Sequence, residues 1–136
     1  MSLIKRIDVR IVTGNRPTAE AEGLIYLGIA GREFRLNSPA LDNFKRGGDR
    51  VYTLGEGANV VNEQYNDPRD PQLESDDLKK FPKYVRYEPK SEDDEWNIEQ
   101  IVVTVNPEAD RMIFSSLVGG RHIWLGQKAG LICYLP

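Results

Sequence analysis

The sequence predicts an antiparallel β-sandwich, and three observations support that class. Apolar and polar residues alternate in short segments, which is the periodicity of strands with one buried face. Glycine, proline and asparagine separate these segments at short intervals. Almost no segment shows the spacing of an amphipathic helix. Eight or nine short strands with hardly any helix are typical of a sandwich or a barrel.

The segments follow one another from the N-terminal end of the chain. Residues 4–13 place Ile7, Val9 and Ile11 on one side of a strand and charged residues on the other. The turn residues Gly14-Asn15-Arg16-Pro17 end this strand. Further strands are predicted at residues 24–30, 34–36, 51–54, 84–88, 96–105, 111–118, 121–125 and 131–135.

A long acidic insertion around residues 55–83 interrupts the strand pattern. It is rich in Asn, Asp, Gln and Glu and contains Pro68, Pro71 and Pro82. Such a length is unusual for a structureless loop inside a compact domain. One helical turn with Ser75 as its cap is predicted near the end of the insertion, and the remainder is expected to be loop.

The length of the chain and its lack of targeting signals limit the classes of protein that are possible. With 136 residues, the chain is close to the commonest size of one domain, and a single domain is predicted over residues 1–136. No apolar run approaches the roughly 20 residues of a membrane span, and residues 1–6 lack the apolar stretch of a signal peptide. We therefore expect a cytoplasmic protein, or a domain excised from a longer chain.

The net charge of −3 is distributed unevenly. Residues 1–54 contain 9 Lys and Arg against 6 Asp and Glu, whereas residues 55–99 contain 6 against 13. The sequence has no basic stripe, and its aromatic residues lie inside strand patterns. Nucleic acid is therefore not expected as a partner. The oligomeric state is left open.

Five short motifs occur in a fixed order along the chain. The most specific is residues 44–52, Phe-Lys-Arg-Gly-Gly-Asp-Arg-Val-Tyr, which is similar to a Phe-x-Arg-Gly-x-x-Asp-x-Phe pattern. The other four are a strand ending in Thr13-Gly14, the alternating segment 25–31, the segments 85–88 and 96–103 around an acidic turn, and Ile123-Trp124-Leu125. In this order the motifs resemble the PLAT family, the β-sandwich domain named after polycystin, lipoxygenase and alpha-toxin.

The resemblance implies an eight-stranded antiparallel β-sandwich that acts as a non-catalytic interaction module. Such a module docks to a protein partner or to a lipid or membrane surface through its end loops, and it usually lies beside a catalytic domain. Protein docking is favoured over membrane binding, because the sequence shows neither an exposed aromatic loop nor a basic patch.

The resemblance also implies calcium in the end loops of some members. The acidic residues of those members match Glu22, Asp49 and Glu88 here, and calcium prefers about six to eight oxygen ligands. At Ala21-Glu22 the chain departs from the family's Gly-Thr-Asp. The alternative is that Asp49 accepts backbone hydrogen bonds in its turn while Glu22 and Glu88 are solvated.

Two other features have both a structural and a functional interpretation. The run Glu92-Asp93-Asp94-Glu95 differs in spacing from an Asp-x-Asp-x-Asp-Gly calcium loop, and a solvent-facing turn is predicted. Trp96 and Trp124 lie in apolar strand patterns. Packing in the core is therefore expected, in preference to anchoring in a membrane.

Residues that could act in catalysis are few. Cys133 is the one cysteine, which excludes an internal disulfide and a multi-cysteine zinc site, and its apolar surroundings predict a buried thiol. A small hydrolase would need His122 to meet Ser115 or Ser116 across a hairpin, but no motif supplies an oxyanion hole. We therefore expect a protein without enzyme activity.

A carbohydrate-binding module is the remaining alternative. It requires a planar row of exposed aromatic rings, for which the sequence offers several candidates. These are Tyr26, Tyr52, Tyr65, Tyr84, Tyr87 and the two tryptophans.

Overall fold

The computed structural model describes residues 2–117 and 119–136. Nine strands follow one another along these residues, at or close to the predicted positions. They are β1 (Arg6–Thr13), β2 (Leu24–Ile29), β3 (Arg32–Arg35), β4 (Asp49–Gly55), β5 (Lys83–Glu88), β6 (Trp96–Val105), β7 (Met112–Ser116), β8 (Ile123–Leu125) and β9 (Ile132–Leu135).

The strands form two antiparallel sheets. One sheet has the order β4-β1-β6-β7, with β8 also paired to β6, and the other has the order β3-β2-β5-β9. In the first sheet Val9 lies opposite both Tyr52 and Val103, and in the second Leu27 lies opposite Phe34 and Val85. The predicted antiparallel β-sandwich is confirmed.

The inner faces of the two sheets enclose an apolar core. Because successive side chains of a strand point to opposite faces, the predicted alternation of Ile7, Val9 and Ile11 puts all three inside. Trp96 is fully buried as predicted. Trp124 is only half-buried, because β8 is a short strand at the edge of its sheet.

The observed count of nine strands differs from the eight that the resemblance implies. β7 and β8 both pair with the same strand, β6, where they lie opposite 101–105 and 96–98 in turn. They act as one interrupted strand, and the interruption contains Leu117, Gly119 and Gly120, all at positive φ. Positive φ is incompatible with a continuous strand. Val118, the last residue of the strand predicted at 111–118, lies outside the described residues.

The acidic insertion occupies the chain between β4 and β5 and is folded onto the sandwich. Its polar side chains pair with backbone groups at the sheet edges: the Asn59 side chain joins Thr53 and Val51 of β4, and Asn66 accepts the Arg35 amide of β3 at 2.9 Å. Most of the insertion consists of turns. Its side-chain hydrogen bonds to the edge strands take the place of the backbone hydrogen bonds of a regular β-ladder.

The predicted helical turn is a 3₁₀-helix over Ser75–Lys79, but its cap differs from the prediction. Glu74 caps the helix, whereas the Ser75 hydroxyl accepts the backbone N–H of Ser2 at 2.9 Å. Leu78 is buried and attaches the helix to the core. Among the described residues, no helix combines the length and the apolar character needed to cross a bilayer.

Candidate docking surface

Four connecting loops meet at one end of the sandwich, which we call the loop end. They are residues 14–23, 36–48, 89–95 and 126–131, between β1 and β2, β3 and β4, β5 and β6, and β8 and β9. The register of the strands brings them together, since β1 ends where β4 and β6 begin, and β2 begins opposite the end of β5. The end loops to which docking was assigned from the resemblance therefore form one continuous region.

A ring stack fixes the loop between β3 and β4. Phe44 is buried and lies 4.9 Å from the Tyr52 ring and 5.5 Å from the Trp96 ring, measured between centroids. The Gly47 amide donates to the Gly14 carbonyl at 3.0 Å. This loop and the one after β1 are consequently held against each other, which accounts for the aromatic ends of the 44–52 motif.

Asp49 forms a two-point ion pair with Arg10 on the neighbouring strand. Its carboxylate oxygens accept from Arg10 Nε at 2.9 Å and from Arg10 Nη2 at 2.7 Å. The hydrogen bond to this guanidinium holds the pKa of Asp49 below its ordinary value. In the described structure the carboxylate therefore has a partner that is neither calcium nor the backbone of its own turn.

Glu22 and Glu88 lie on the other sheet of the loop end. Both side chains are exposed, and Glu88 accepts a hydrogen bond from the Tyr26 hydroxyl, which contributes to the raised pKa of that tyrosine after burial. Register places Leu24 opposite Glu88, so Glu22 and Glu88 are close along the strand ends. Asp49, in contrast, lies opposite Val12 in the first sheet.

These three residues do not present a preformed calcium site. Asp49 already binds Arg10, and it belongs to a different sheet from Glu22 and Glu88. Across residues 2–117 and 119–136, no three His, Cys, Asp or Glu side chains are grouped as metal ligands. Calcium prefers several converging carboxylates, so calcium binding at Glu22, Asp49 and Glu88 stays a prediction.

The acidic run 92–95 was predicted to be a solvent-facing turn, and this is wrong for Asp94. Asp94 is buried and accepts the backbone N–H of Glu22 at 3.2 Å and of Lys90 at 2.8 Å. The Tyr87 hydroxyl accepts the Gly23 N–H at 3.1 Å. Burial, together with its hydrogen bond to Asp94, raises the pKa of Tyr87. This network ties the loop 89–95 to the start of β2, a contact that local sequence spacing does not reveal.

A cluster of basic side chains is a further feature that the sequence did not reveal. We call Arg10, Arg16, Lys45, Arg46 and Arg50 the basic corner. Arg10 and Arg50 lie on β1 and β4, and the other three members lie on the loops beside these strands. The two loops are in contact, and Arg46 Nε donates to Asn15 Oδ1 at 3.1 Å. Only the tertiary structure brings residues 10–16 beside residues 45–50.

Acidic residues neutralise part of the basic corner. Arg10 pairs with Asp49, and Arg16 lies 3.5 Å from Glu99. The other three members, Lys45, Arg46 and Arg50, form no ion pair within the described part of the chain. The corner is thus a concentration of positive charge on a chain whose net charge is −3.

His122 and Ser116, which were named for a hydrolase, have hydrogen-bond partners other than each other. His122 is exposed, and its Nδ1 lies 3.1 Å from Asn97 Nδ2. Ser116 lies 3.7 Å from the sulfur of Cys133. Cys133 is buried as predicted, and burial raises the pKa of its thiol. A nucleophile would require a lowered pKa.

Comparison with solved structures places the chain in a class of two-sheet antiparallel β-sandwiches that occur inside larger chains. Alpha-toxin from Clostridium absonum superposes with a TM-score of 0.65 and 21% identity, over 99% of this chain and 32% of that one. Clostridium perfringens alpha-toxin from the avian strain SWCP gives a TM-score of 0.65 at 18% identity, with the same coverage.

A coral 8R-lipoxygenase, described as activated by calcium through a C2-like domain, gives a TM-score of 0.58 at 15% identity over 96% of this chain and 16% of that one. The chain therefore spans about a third of the toxins and about a sixth of the lipoxygenase. No family model and no curated protein matches the sequence. At these identities the comparisons establish the fold, in agreement with the PLAT resemblance.

Proposed function

We propose that this chain is a non-catalytic module that docks to an anionic lipid surface through its loop end. The basic corner is the observation that carries the proposal. It lies on β1, on β4 and on the loops beside them, which the ring stack of Phe44 and the Gly47–Gly14 hydrogen bond hold in place. A fixed group of cations is suited to phosphate or carboxylate groups of lipids. The sequence favoured a protein partner, because it showed no basic patch. Because of the basic corner, we now favour a lipid surface.

The charge distribution also orients the module. The basic corner extends from the β1–β4 side of the loop end, whereas Glu88, Glu92, Asp93 and Glu95 lie around the end of β5 and the start of β6. An anionic membrane attracts the first side and repels the second. The coral 8R-lipoxygenase, which is described as activated by calcium through a C2-like domain, matches this fold over 96% of the chain.

Vesicle co-sedimentation tests the proposal. The wild-type chain should bind vesicles that contain phosphatidylserine and should not bind pure phosphatidylcholine. In the K45Q/R46Q variant, affinity should fall about thirtyfold, because each basic residue near an anionic surface contributes about 1 kcal/mol. The same loss of binding should follow when salt rises from ~0.1 M to ~0.5 M, which screens exposed charges.

The matched control is K79Q/K80Q, which removes the same charge from an exposed lysine pair outside the loop end. This variant should bind like the wild type. Equal losses in both variants would mean that binding follows net charge and would contradict a role of the loop end. A wild-type chain that ignores anionic vesicles but captures a protein through Lys45 and Arg46 would support the protein-docking alternative.

Modulation by calcium is a separate part of the proposal. If calcium binds the folded state at Glu22, Asp49 and Glu88, it must raise the melting temperature relative to a sample with chelator. The E22Q/E88Q variant should abolish this shift without weakening the basic corner. An unchanged melting temperature in saturating calcium would remove calcium from the mechanism.

A further inference from the structure

Aromatic side chains collect on the solvent side of the β3-β2-β5-β9 sheet. Residues facing inward from β2 and β5, such as Leu27 and Val85, are buried in the core, so their neighbours Tyr26 and Tyr84 point outward. Register then places Tyr84 directly opposite Tyr134 of β9. Three tyrosines thus share one outer face, far along the chain from each other.

Tyr84 lies flat on this face because its partner on β2 is a glycine. A Cβ atom at Gly28 would lie only 2.1 to 2.6 Å from three atoms of the Tyr84 ring, which is closer than any packed carbon pair. The Tyr84 hydroxyl donates to Glu33 Oε2 at 2.7 Å. Glycine below and a hydrogen bond at the far end therefore hold the ring against the sheet.

A second planar group continues the surface. The Arg86 guanidinium lies 4.3 Å from the centre of the Tyr26 ring, a cation–π distance. The same guanidinium donates two hydrogen bonds of 2.9 Å to the Glu33 carboxylate. Glu33 thereby fixes both Tyr84 and Arg86, and the charges of Arg86 and Glu33 cancel within the surface.

Two exposed rings flank the fixed ones. Tyr134 is 61% exposed, and its centroid lies 6.1 Å from that of Tyr84 with a tilt of 58°. Phe81 is 45% exposed and, with Glu33 and Tyr84, lines a shallow cavity of about 180 Å³. Cavities that enclose drug-sized ligands measure about 300–1,000 Å³, so this depression is smaller than a cavity that encloses a whole ligand.

We propose that this surface, which we call the aromatic face and which consists of Tyr26, Glu33, Phe81, Tyr84, Arg86 and Tyr134, binds a neutral carbohydrate. The C–H groups on one side of a sugar ring are attracted to the electron-rich face of an aromatic ring. The hydroxyl groups at the rim of the sugar can donate to Glu33 and accept from Arg86. Because hydrogen bonds already hold these groups in place, little side-chain entropy is lost on binding.

The charge of the aromatic face selects this ligand over a lipid surface. Glu33 and Arg86 neutralise each other, and the other two charged groups beside Tyr26, Arg35 and Glu88, have opposite signs, so the face offers no net positive charge to an anionic membrane. The sequence-based carbohydrate alternative required a planar row of exposed rings, and it named Tyr26 and Tyr84 but not Tyr134. The observed rings form an angled surface and not a planar row, since the Tyr84 and Tyr134 rings are tilted by 58°. Three of its other candidates, Tyr52, Tyr87 and Trp96, are buried in the core.

Affinity electrophoresis tests the proposal with the whole chain. The protein is run through native gels that contain soluble cellulose derivatives, xylan, β-1,3-glucan, glycol chitin or starch. At least one of these should retard the wild type, and Tyr134→Ala should weaken that binding about tenfold or more, because the sugar loses an aromatic contact. The matched control is Tyr65→Ala, since Tyr65 is a tyrosine of the insertion that is 74% exposed and does not belong to the aromatic face.

A second variant tests the geometry of the face. Gly28→Ala displaces the Tyr84 ring while leaving Tyr134 in place, and it should weaken binding in a chain that circular dichroism and thermal melting show to be folded. Conversely, Tyr84→Phe removes only the bond to Glu33 and should have a smaller effect. Retention of full affinity by Gly28→Ala would contradict stacking on Tyr84.

The outcomes separate this proposal from the lipid one. Binding to a neutral polysaccharide should persist at ~0.5 M salt and in K45Q/R46Q, whereas vesicle binding is lost in both conditions. The proposal is overturned if no polysaccharide of the panel retards the wild type, if Tyr65→Ala and Tyr134→Ala lose binding equally, or if Tyr134→Ala affects only vesicles. Failure of vesicle binding alone would leave the aromatic face intact.

Discussion

Tyr52 and Tyr87 are both fully buried, yet their hydroxyl groups have different surroundings. The Tyr87 oxygen accepts the amides of Glu22 and Gly23 at 3.2 and 3.1 Å. The Tyr52 oxygen has no hydrogen-bond partner among the described residues, and the nearby Phe44 backbone amide offsets only part of the effect of burial on its pKa. A buried polar group without a partner reduces stability, whereas a satisfied one contributes to it.

Phenylalanine substitutions should therefore have opposite effects at these two positions. Tyr52→Phe removes an unsatisfied hydroxyl and should leave the free energy of unfolding unchanged or raise it by up to about 1 kcal/mol. Tyr87→Phe leaves the Gly23 amide without its acceptor and the Glu22 amide with Asp94 alone, and it should lower the free energy of unfolding by about 1–2 kcal/mol. Urea unfolding with equal m values measures both changes. A larger loss for Tyr52→Phe than for Tyr87→Phe would show that the two hydroxyls have been assigned the wrong way round.

The insertion between β4 and β5 behaves as an element of the fold, although its sequence has no strand or helix period. Asn66 is buried and replaces a neighbouring strand at the edge of β3, since it accepts from the Arg35 amide and donates to the carbonyls of Val61 and Asn62. An uncovered edge strand is a template for aggregation. The insertion thus protects an edge of the sandwich through side-chain amides.

Removal of the Asn66 amide should consequently destabilise the whole sandwich. Asn66→Ala deletes three hydrogen bonds at a buried site, and we expect the free energy of unfolding to fall by about 2 kcal/mol. Gln64→Ala is the control, because Gln64 is an exposed amide in the same segment and should change stability by less than about 0.5 kcal/mol. Chemical denaturation of both variants provides the measurement. Equal stability of the two would show that the insertion is an appendage.

At the scale of the whole molecule, the buried tyrosines make stability depend on alkaline pH. Burial raises the pKa of Tyr52 to about 12 and raises that of Tyr87 in the same direction. The folded state therefore retains protons that the unfolded state releases above about pH 10. Stability is unaffected below that pH and falls as the pH rises toward the pKa of the folded state.

The free energy of unfolding should fall between pH ~9 and pH ~11 by about 1 kcal/mol for each of these tyrosines. Tyr52→Phe should reduce the slope of this decline without abolishing it, because Tyr87 still contributes. Urea titrations at several pH values measure the slope. A flat profile up to pH ~11 would mean that both hydroxyls ionise as readily in the folded chain as in the unfolded one.

Alternation of side chains was sufficient to predict the strands and the core. Ile7, Val9 and Ile11 occupy every second position of a single strand. A period of two therefore places them on the same face, whatever the rest of the chain does. Gly14 and the double glycine at 47–48 marked chain reversals for a similarly local reason, since both reversals depend on short-range backbone geometry. The class of fold followed from these local patterns, and the solved structures agree with it.

The surfaces could not be predicted in this way, because residues distant in the chain form them. Asp94 looked like one of four solvated acids, and it is buried where the distant Tyr87 and the Glu22 amide approach it, in addition to the local Lys90 amide. The basic corner depends on contacts such as that between Asn15 and Arg46, which are 31 positions apart, and the aromatic face depends on the register that sets Tyr84 against Gly28 and Tyr134. Periodicity along the chain determines which residues are buried, whereas the pairing of the sheets decides which exposed residues become neighbours.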